Sequence, residues 1–266
     1  MIKLIASDLD GTLVMDNGKI DERVFNLINI LFKKNIIFVA ASGRSYSQLN
    51  NDFKKVNGDM MFIAHNGATI RYNKMGRRLY SSRILEDDIK SVLNLKCATK
   101  MGADISLSSE SEAYIKDSSE ELIDIFKSLE VPTIKIKSYN DVKDSIYKIS
   151  YYLKNGVNQS IIDYLNANLN KNLEFVISGD KWIDIMNKGV SKGKAIEIIQ
   201  EKFNISKEDT MAFGDYYNDL TMFKVAYHSY AMKNAPDEVK KYARFVAETN
   251  NNNGVYNAIK KYALGN

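Results

Sequence analysis

The sequence predicts an α/β protein: a doubly wound parallel sheet interrupted by an inserted α+β domain. Three observations predict it. Short apolar runs alternate with helical periodicity as far as Ala64, hairpin signals and mixed strands replace that texture through the middle, and the alternation resumes from Ser191. Strand–helix–strand order implies parallel strands with right-handed crossovers, because a right-twisted strand packs its helix back onto the sheet only that way.

Residues 2–7 read as a buried strand. Val24, Leu27, Ile28 and Leu31 then recur at helical spacing, and Asn35 offers a stop. Residues 36–41 form a second apolar run, 45–55 a helix and 60–64 a third strand. Residues 69–72 and 78–80 flank Asn73-Lys74-Met75-Gly76, a hairpin signal. Strands are expected at 134–137, 146–153, 173–178 and 182–186, among helices at 86–98, 119–129 and 157–169. From Ser191 the expectation is helix 191–203, strand 210–213, helix 217–223, strand 228–232, helix 236–242, strand 244–247 and helix 255–263.

The bulk composition narrows the function. With 266 residues, 45% hydrophobic and 26% charged, the chain has the make-up of a soluble globular protein. Its net charge of +4 is dispersed. The doublets Lys33-Lys34, Lys54-Lys55, Lys240-Lys241 and Lys260-Lys261 fall near helix ends, where they complement the dipole. No basic stripe interleaved with aromatics points to nucleic acid. Cys97 is the only cysteine, so no intrachain disulfide forms, which fits a reducing compartment. The apolar start at Ile2–Ala6 is too short for a signal peptide, and the longest apolar runs suit buried strands rather than a membrane span. The expected location is cytoplasmic.

Four clusters carry chemistry. Asp8-Leu9-Asp10-Gly11-Thr12 follows the first strand; residues two apart in an extended chain point to one side, so Asp8 and Asp10 can face one site. One carboxylate can attack phosphorus while its neighbour handles protons. A calcium loop wants Gly at its sixth position, and Leu13 stands there. Ser42-Gly43-Arg44 follows the second strand, a natural phosphate seat, although Ser42 alone reads as a helix cap. Arg44 is open between reaching a phosphate and facing solvent. Gly189-Val190-Ser191-Lys192-Gly193-Lys194 opens a helix but is no P-loop, since the glycine spacing is one short and Ala195 stands where Ser or Thr is needed. Lys192 is unfavourable at a helix start unless an anion accompanies it. In Gly214-Asp215-Tyr216-Tyr217-Asn218-Asp219, Asp215 and Asp219 sit four apart, and clustered carboxylates call for a hard cation such as magnesium. Asp8, Ser42 and Asp215 each follow a parallel strand, which is where ligands bind in open α/β sheets. Two histidines, His65 and His228, with one cysteine do not make a zinc site. Asn66-Gly67 reads as a turn in preference to a substrate contact, and Tyr114, Tyr147, Tyr151 and Tyr152 as packing.

Together these clusters resemble the four motifs of the haloacid dehalogenase-like (HAD) phosphatase superfamily. Asn66-Gly67-Ala68, Gly189-Val190-Ser191-Lys192-Gly193, Ala231-Met232-Lys233-Asn234-Ala235-Pro236 and Asn253-Gly254-Val255 look like its Cof-type subfamily. The resemblance implies a Rossmann-like core at 1–82 and 187–266 with an α+β cap inserted at 83–186. It implies a Mg2+-dependent phosphatase of small phosphate esters, with sugar phosphates foremost. Asp8 would be the nucleophile and Asp10 the acid and base. Asp8, the main-chain carbonyl of Asp10, Asp215 and Asp219 would hold the metal. Ser42, the amides of Leu9 and Gly43, Lys192 and Asn218 would hold the phosphate. Two departures, Tyr216-Tyr217 and Met186-Asn187-Lys188, remove no catalytic group. A phosphomutase and a non-catalytic phosphate-binding regulator are the competing expectations; the regulator predicts a lost motif residue, and none is lost. Substrate identity and oligomeric state are not legible at this level.

Overall fold

The structure, a computed structural model, describes residues 1–265. Its first strands are β1 (Leu4–Ser7), β2 (Ile37–Ala41), β3 (Met61–Ala64), β4 (Thr69–Tyr72) and β5 (Arg78–Ser81). A middle group follows: β6 (Ala103–Ser108), β7 (Ala113–Ile115), β8 (Thr133–Lys135), β9 (Lys148–Leu153), β10 (Leu173–Gly179) and β11 (Trp182–Asn187). The last three are β12 (Thr210–Gly214), β13 (His228–Met232) and β14 (Phe245–Ala247).

Eight strands form the main sheet in the order β14-β13-β12-β1-β2-β3-β4-β5. Its six strands from β14 to β3 pair in parallel, and β4 returns antiparallel to β3. The order runs outward in both directions from β1 and β12, so these two neighbours mark the topological switch point. Register pairs Ala6 with Ala212 and Ser7 with Phe213, which brings the two strand ends side by side.

Both faces of this sheet are covered. Leu4, Ala6, Val39, Met61 and Ala212 pack against Ala195, Ile196 and Ile199 of the helix Lys192–Phe203. On the opposite face the helix Glu22–Lys33 buries Val24, Phe25, Leu27, Ile28 and Leu31, a stripe at the 3.6-residue period. Phe25 meets Phe53, which in turn meets Phe62 of β3. Asp21 caps that helix by accepting from the Arg23 amide at 2.8 Å.

The middle strands form a mixed sheet, β10-β11-β9-β6-β7-β8, antiparallel except for β7 with β8. By contacts the chain falls into two compact units: Met1–Arg44, Leu49–Tyr80 and the chain from Ser191 make one, Ser45–Gln48 and Ser81–Val190 the other. The second has its own core, in which Ile105, Leu107, Ile149, Tyr151, Ile183 and Ile185 pack with Val92, Cys97, Ile161 and Leu165. Among the described residues no helix is long and apolar enough to cross a membrane.

The local differences from the sequence expectation have physical causes. The expected helix 86–98 is two, Glu86–Leu93 and Lys96–Lys100, because Leu95 adopts an extended backbone (ψ 150°) after Asn94. The hairpin signal at 69–80 is no such difference: it forms β4 and β5, which extend the main sheet. Strands β6 and β7 lie outside the expectation. Ala103, Ile105 and Leu107 alternate with Asp104, Ser106 and Ser108, so a period of two marked β6.

Candidate active site

The site grows from the ends of β1 and β12. The Asp8 amide still donates to the Phe213 carbonyl at 2.9 Å, so the nucleophile candidate is fixed to the sheet by a ladder bond. Beyond it the chain wraps around one oxygen: the Leu9 carbonyl accepts from Thr12, Leu13 and Val14 at 2.8–3.0 Å. Gly11 makes that wrap possible. Its φ is +79°, and a Cβ there would lie 2.4 Å from Asp215 Oδ2.

After β12 the chain makes a 3₁₀ turn, Tyr217–Asp219, before the helix Leu220–Val225, where a single helix over 217–223 was expected. The turn is drawn in by Asp219, whose Oδ2 accepts from the amides of Asp215 (2.9 Å) and Tyr216 (3.1 Å). Its Oδ1 accepts from Lys192 Nζ at 2.7 Å, and the same ammonium donates to Asp8 Oδ1. Lys192 is therefore no surface lysine: it is 1% exposed, at the start of a helix whose N-cap Ser191 accepts from the Lys194 amide at 3.1 Å. The unfavourable dipole position is offset by two carboxylates.

Asp215 completes the cluster, held by Thr12 Oγ1 at 2.6 Å. Oxygen atoms of Asp8, Asp215 and Asp219 all lie within 4.8 Å of one another. Burial first, then the negative charge of Asp219, pushes the Asp8 carboxyl well above the usual carboxylate range although Lys192 pulls it back. Burial and Asp219 likewise raise Asp215 to about 6. Burial opposes the charge on Lys192, yet Asp219 and Asp8 outweigh it and raise its pKa. Three carboxylates against one ammonium leave two formal negative charges, and two of those carboxyls hold protons readily. A divalent cation with oxygen ligands fits this donor set.

The remaining candidates divide. Ser42 is buried beside the cluster's strand ends and its Oγ accepts from the Arg44 amide at 3.2 Å, a local turn rather than a helix cap. Gly43 lies against the side-chain amide of Asn66, which accepts from Asn218 Nδ2 at 3.2 Å. Asp10 does not join the three carboxylates. Its side chain is 59% exposed and is forked by Arg44, Nε to Oδ2 at 3.1 Å and Nη2 to Oδ1 at 2.5 Å. Arg44 thus neither reaches into the cluster nor faces solvent.

Two residues gain a place that their sequence signals did not give. Thr12 carried no role in the motif beyond its presence, and its hydroxyl orients Asp215. Asn66, read as a turn residue, is 2% exposed and has a left-handed backbone (φ 55°). Its amide donates to the Ser42 carbonyl at 2.9 Å, which ties the loop after β3 to the loop after β2. A single Asn-Gly pair carries the same signal whether the turn is exposed or buried.

Residues 5–259 match the family model described as haloacid dehalogenase-like hydrolase. The chain belongs to the haloacid dehalogenase-like hydrolases. Within that family it falls with the Cof-type phosphatases, enzymes that hydrolyse phosphoric monoesters. It is similar to SMU.1108c from Streptococcus mutans, at 31% identity and TM-score 0.90, over 99% of this chain and 100% of that one. It is also similar to the 5-amino-6-(5-phospho-D-ribitylamino)uracil phosphatases YbjI of Escherichia coli and YcsE of Bacillus subtilis. YbjI is 26% identical over 98% of this chain and 96% of its own length. For YcsE the values are 27%, 99% and 96%. Phosphatases of this family use Mg2+, in keeping with the acidic cluster of Asp8, Asp215 and Asp219.

Proposed function

We propose that the chain hydrolyses small phosphorylated sugars or polyols through an aspartyl-phosphate on Asp8. The observation that carries this reading is the buried contact of Lys192 with both Asp8 and Asp219 at the switch point, with Asp215 alongside. In this reading Asp8 attacks phosphorus in line, and the phosphorus–oxygen bond of the ester breaks as the bond to Asp8 forms. Asp10 gives a proton to the departing oxygen. It then takes a proton from the water that attacks the aspartyl-phosphate, returning Asp8 and releasing inorganic phosphate.

Ser42, the amides of Leu9 and Gly43, Lys192 and Asn218 hold the phosphate, with Asn66 orienting Asn218. Asp8, Asp215, Asp219 and the main-chain carbonyl of Asp10 would hold Mg2+, which when bound supplies positive charge against the transferring group. Lys192 supplies the same kind of charge from the protein, in a setting where burial strengthens it. The ribityl-phosphate substrates named for YbjI and YcsE support a phosphorylated polyol as the substrate class.

The test is phosphate release from a panel of phosphomonoesters, with Mg2+ and with chelator, for wild type beside Asp8→Asn. Release that requires Mg2+ and falls below ~1% in the variant is expected, since single catalytic groups are worth ~10²-fold or more. Activity in Asp8→Asn above that level overturns the covalent mechanism. No release from any ester, with transfer between positions of a sugar bisphosphate instead, would make the protein a mutase.

A further inference from the structure

Arg44 holds two carboxylates that come from different segments of the chain. Its fork on Asp10 uses Nε and Nη2, and its remaining nitrogen, Nη1, donates to Asp52 Oδ2 at 3.0 Å. Asp52 ends the helix Tyr46–Asp52, eight residues further along the chain. The Arg44 side chain is mostly covered, at 20% exposure, and that of Asp52 is 24% exposed, whereas Asp10 is open to solvent. The backbone of Arg44 is fixed as well: its amide donates to Ser42 Oγ and its carbonyl accepts from the His65 amide at 3.0 Å.

The Asp10 carboxylate stands clear of the net-negative cluster, and Arg44 is the cation that holds it there; a planar fork fixes direction as well as distance. The fork in turn has a long side chain whose free rotation would blur its aim. Asp52 removes that freedom by fixing the third nitrogen.

We propose that Asp52 is a positioning residue for the phosphatase reaction: it anchors Arg44, and Arg44 sets the direction of the Asp10 carboxylate. The inference rests on the reading of Asp10 as the proton donor to the leaving group. It adds a residue, Asp52, that lies outside the four motifs and reaches the chemistry only through two other side chains.

The experiment compares kcat/KM for two esters in Mg2+: the sugar phosphate best hydrolysed by the wild type, and p-nitrophenyl phosphate. This ratio reports steps up to departure of the leaving group. An alkoxide needs a proton to depart, and nitrophenolate does not. In Asp52→Asn, kcat/KM for the sugar phosphate is expected to fall ~10-fold or more, and that for p-nitrophenyl phosphate by less than ~3-fold, since small misplacements of a catalytic group cost up to ~10²-fold. Arg44→Lys, which keeps the charge but loses the fork, should show the same asymmetry. In an Asp10→Asn background Asp52→Asn should add no further loss, as expected for residues that act as one unit.

Equal losses for both esters, or no loss for either, overturn the proposal, and so does an additive loss in the double variant. Asp10→Asn alone tests the underlying reading separately. If it slows both esters alike, Asp10 is not the proton donor and the role of Asp52 falls with it.

Discussion

At Lys192 an ammonium with no exposed side-chain surface is held by Asp8 and Asp219, themselves almost fully buried. Removing one member of such a group leaves charge without a partner in a low-dielectric site, which costs ~3–5 kcal/mol. Lys192→Met should therefore lower the urea midpoint by that equivalent at pH 7 in chelator, and Mg2+ should recover part of the loss. An unchanged midpoint would mean that the cluster is neutral without the lysine. Asp215 makes a prediction in pH. Its carboxyl is raised to about 6 in the folded chain from an ordinary value of 3.8. Below the ordinary value both folded and unfolded forms carry the proton. As pH rises toward 6 the unfolded form ionises first, so the raised group's favourable contribution fades. In chelator, wild-type stability relative to Asp215→Asn should therefore decline between pH 4 and 6, read from urea titrations of both proteins. Mg2+ binding should weaken below pH 6, because the cation competes with that proton.

Elements show where local preference and packing disagree. Gly193 lies inside the helix Lys192–Phe203, where alanine is the better helix former by ~1 kcal/mol. A Cβ there would lie 2.3 Å from the Thr221 carbonyl oxygen, and the Gly193 amide donates to Thr221 Oγ1 at 3.1 Å. Packing decides: Gly193→Ala should destabilise by ~1–3 kcal/mol, as overpacking does, instead of stabilising. Thermal melting of the two proteins distinguishes these signs. The same close approach keeps the Lys192 helix against the turn that carries Asp219, so one glycine serves the geometry of two charged residues.

On the scale of the whole molecule, the two units carry separate apolar cores, and Cys97 lies in the second. Its thiol is buried and pushed up to about 11 by burial, so it is mostly uncharged at pH 8. Alkylation at pH 8 should therefore be slow and report opening of the second unit. Ile183→Ala, in the same core, should speed it by more than Phe38→Ala, in the first unit. Equal acceleration by both would mean that the units open together.

The sequence by itself determined the order of elements and the residue types at the strand ends. Period and apolar content decide whether a segment is helix or strand, and the motifs stand directly after such segments. Asp8, Asp215, Asp219 and Lys192 could be named because clustered acids and a misplaced lysine are conspicuous in one dimension. Only the tertiary structure decided which of them touch: Lys192 joins Asp8 across 184 residues, whereas Asp10, two residues from Asp8, turns to Arg44. Side-chain direction after a strand end depends on the loop's own hydrogen bonds and on charges brought from elsewhere. The roles of Thr12, Asn66 and Asp52 were hidden for the same reason, since a hydroxyl, an amide and a helix-end carboxylate acquire meaning from the partner that folding places beside them.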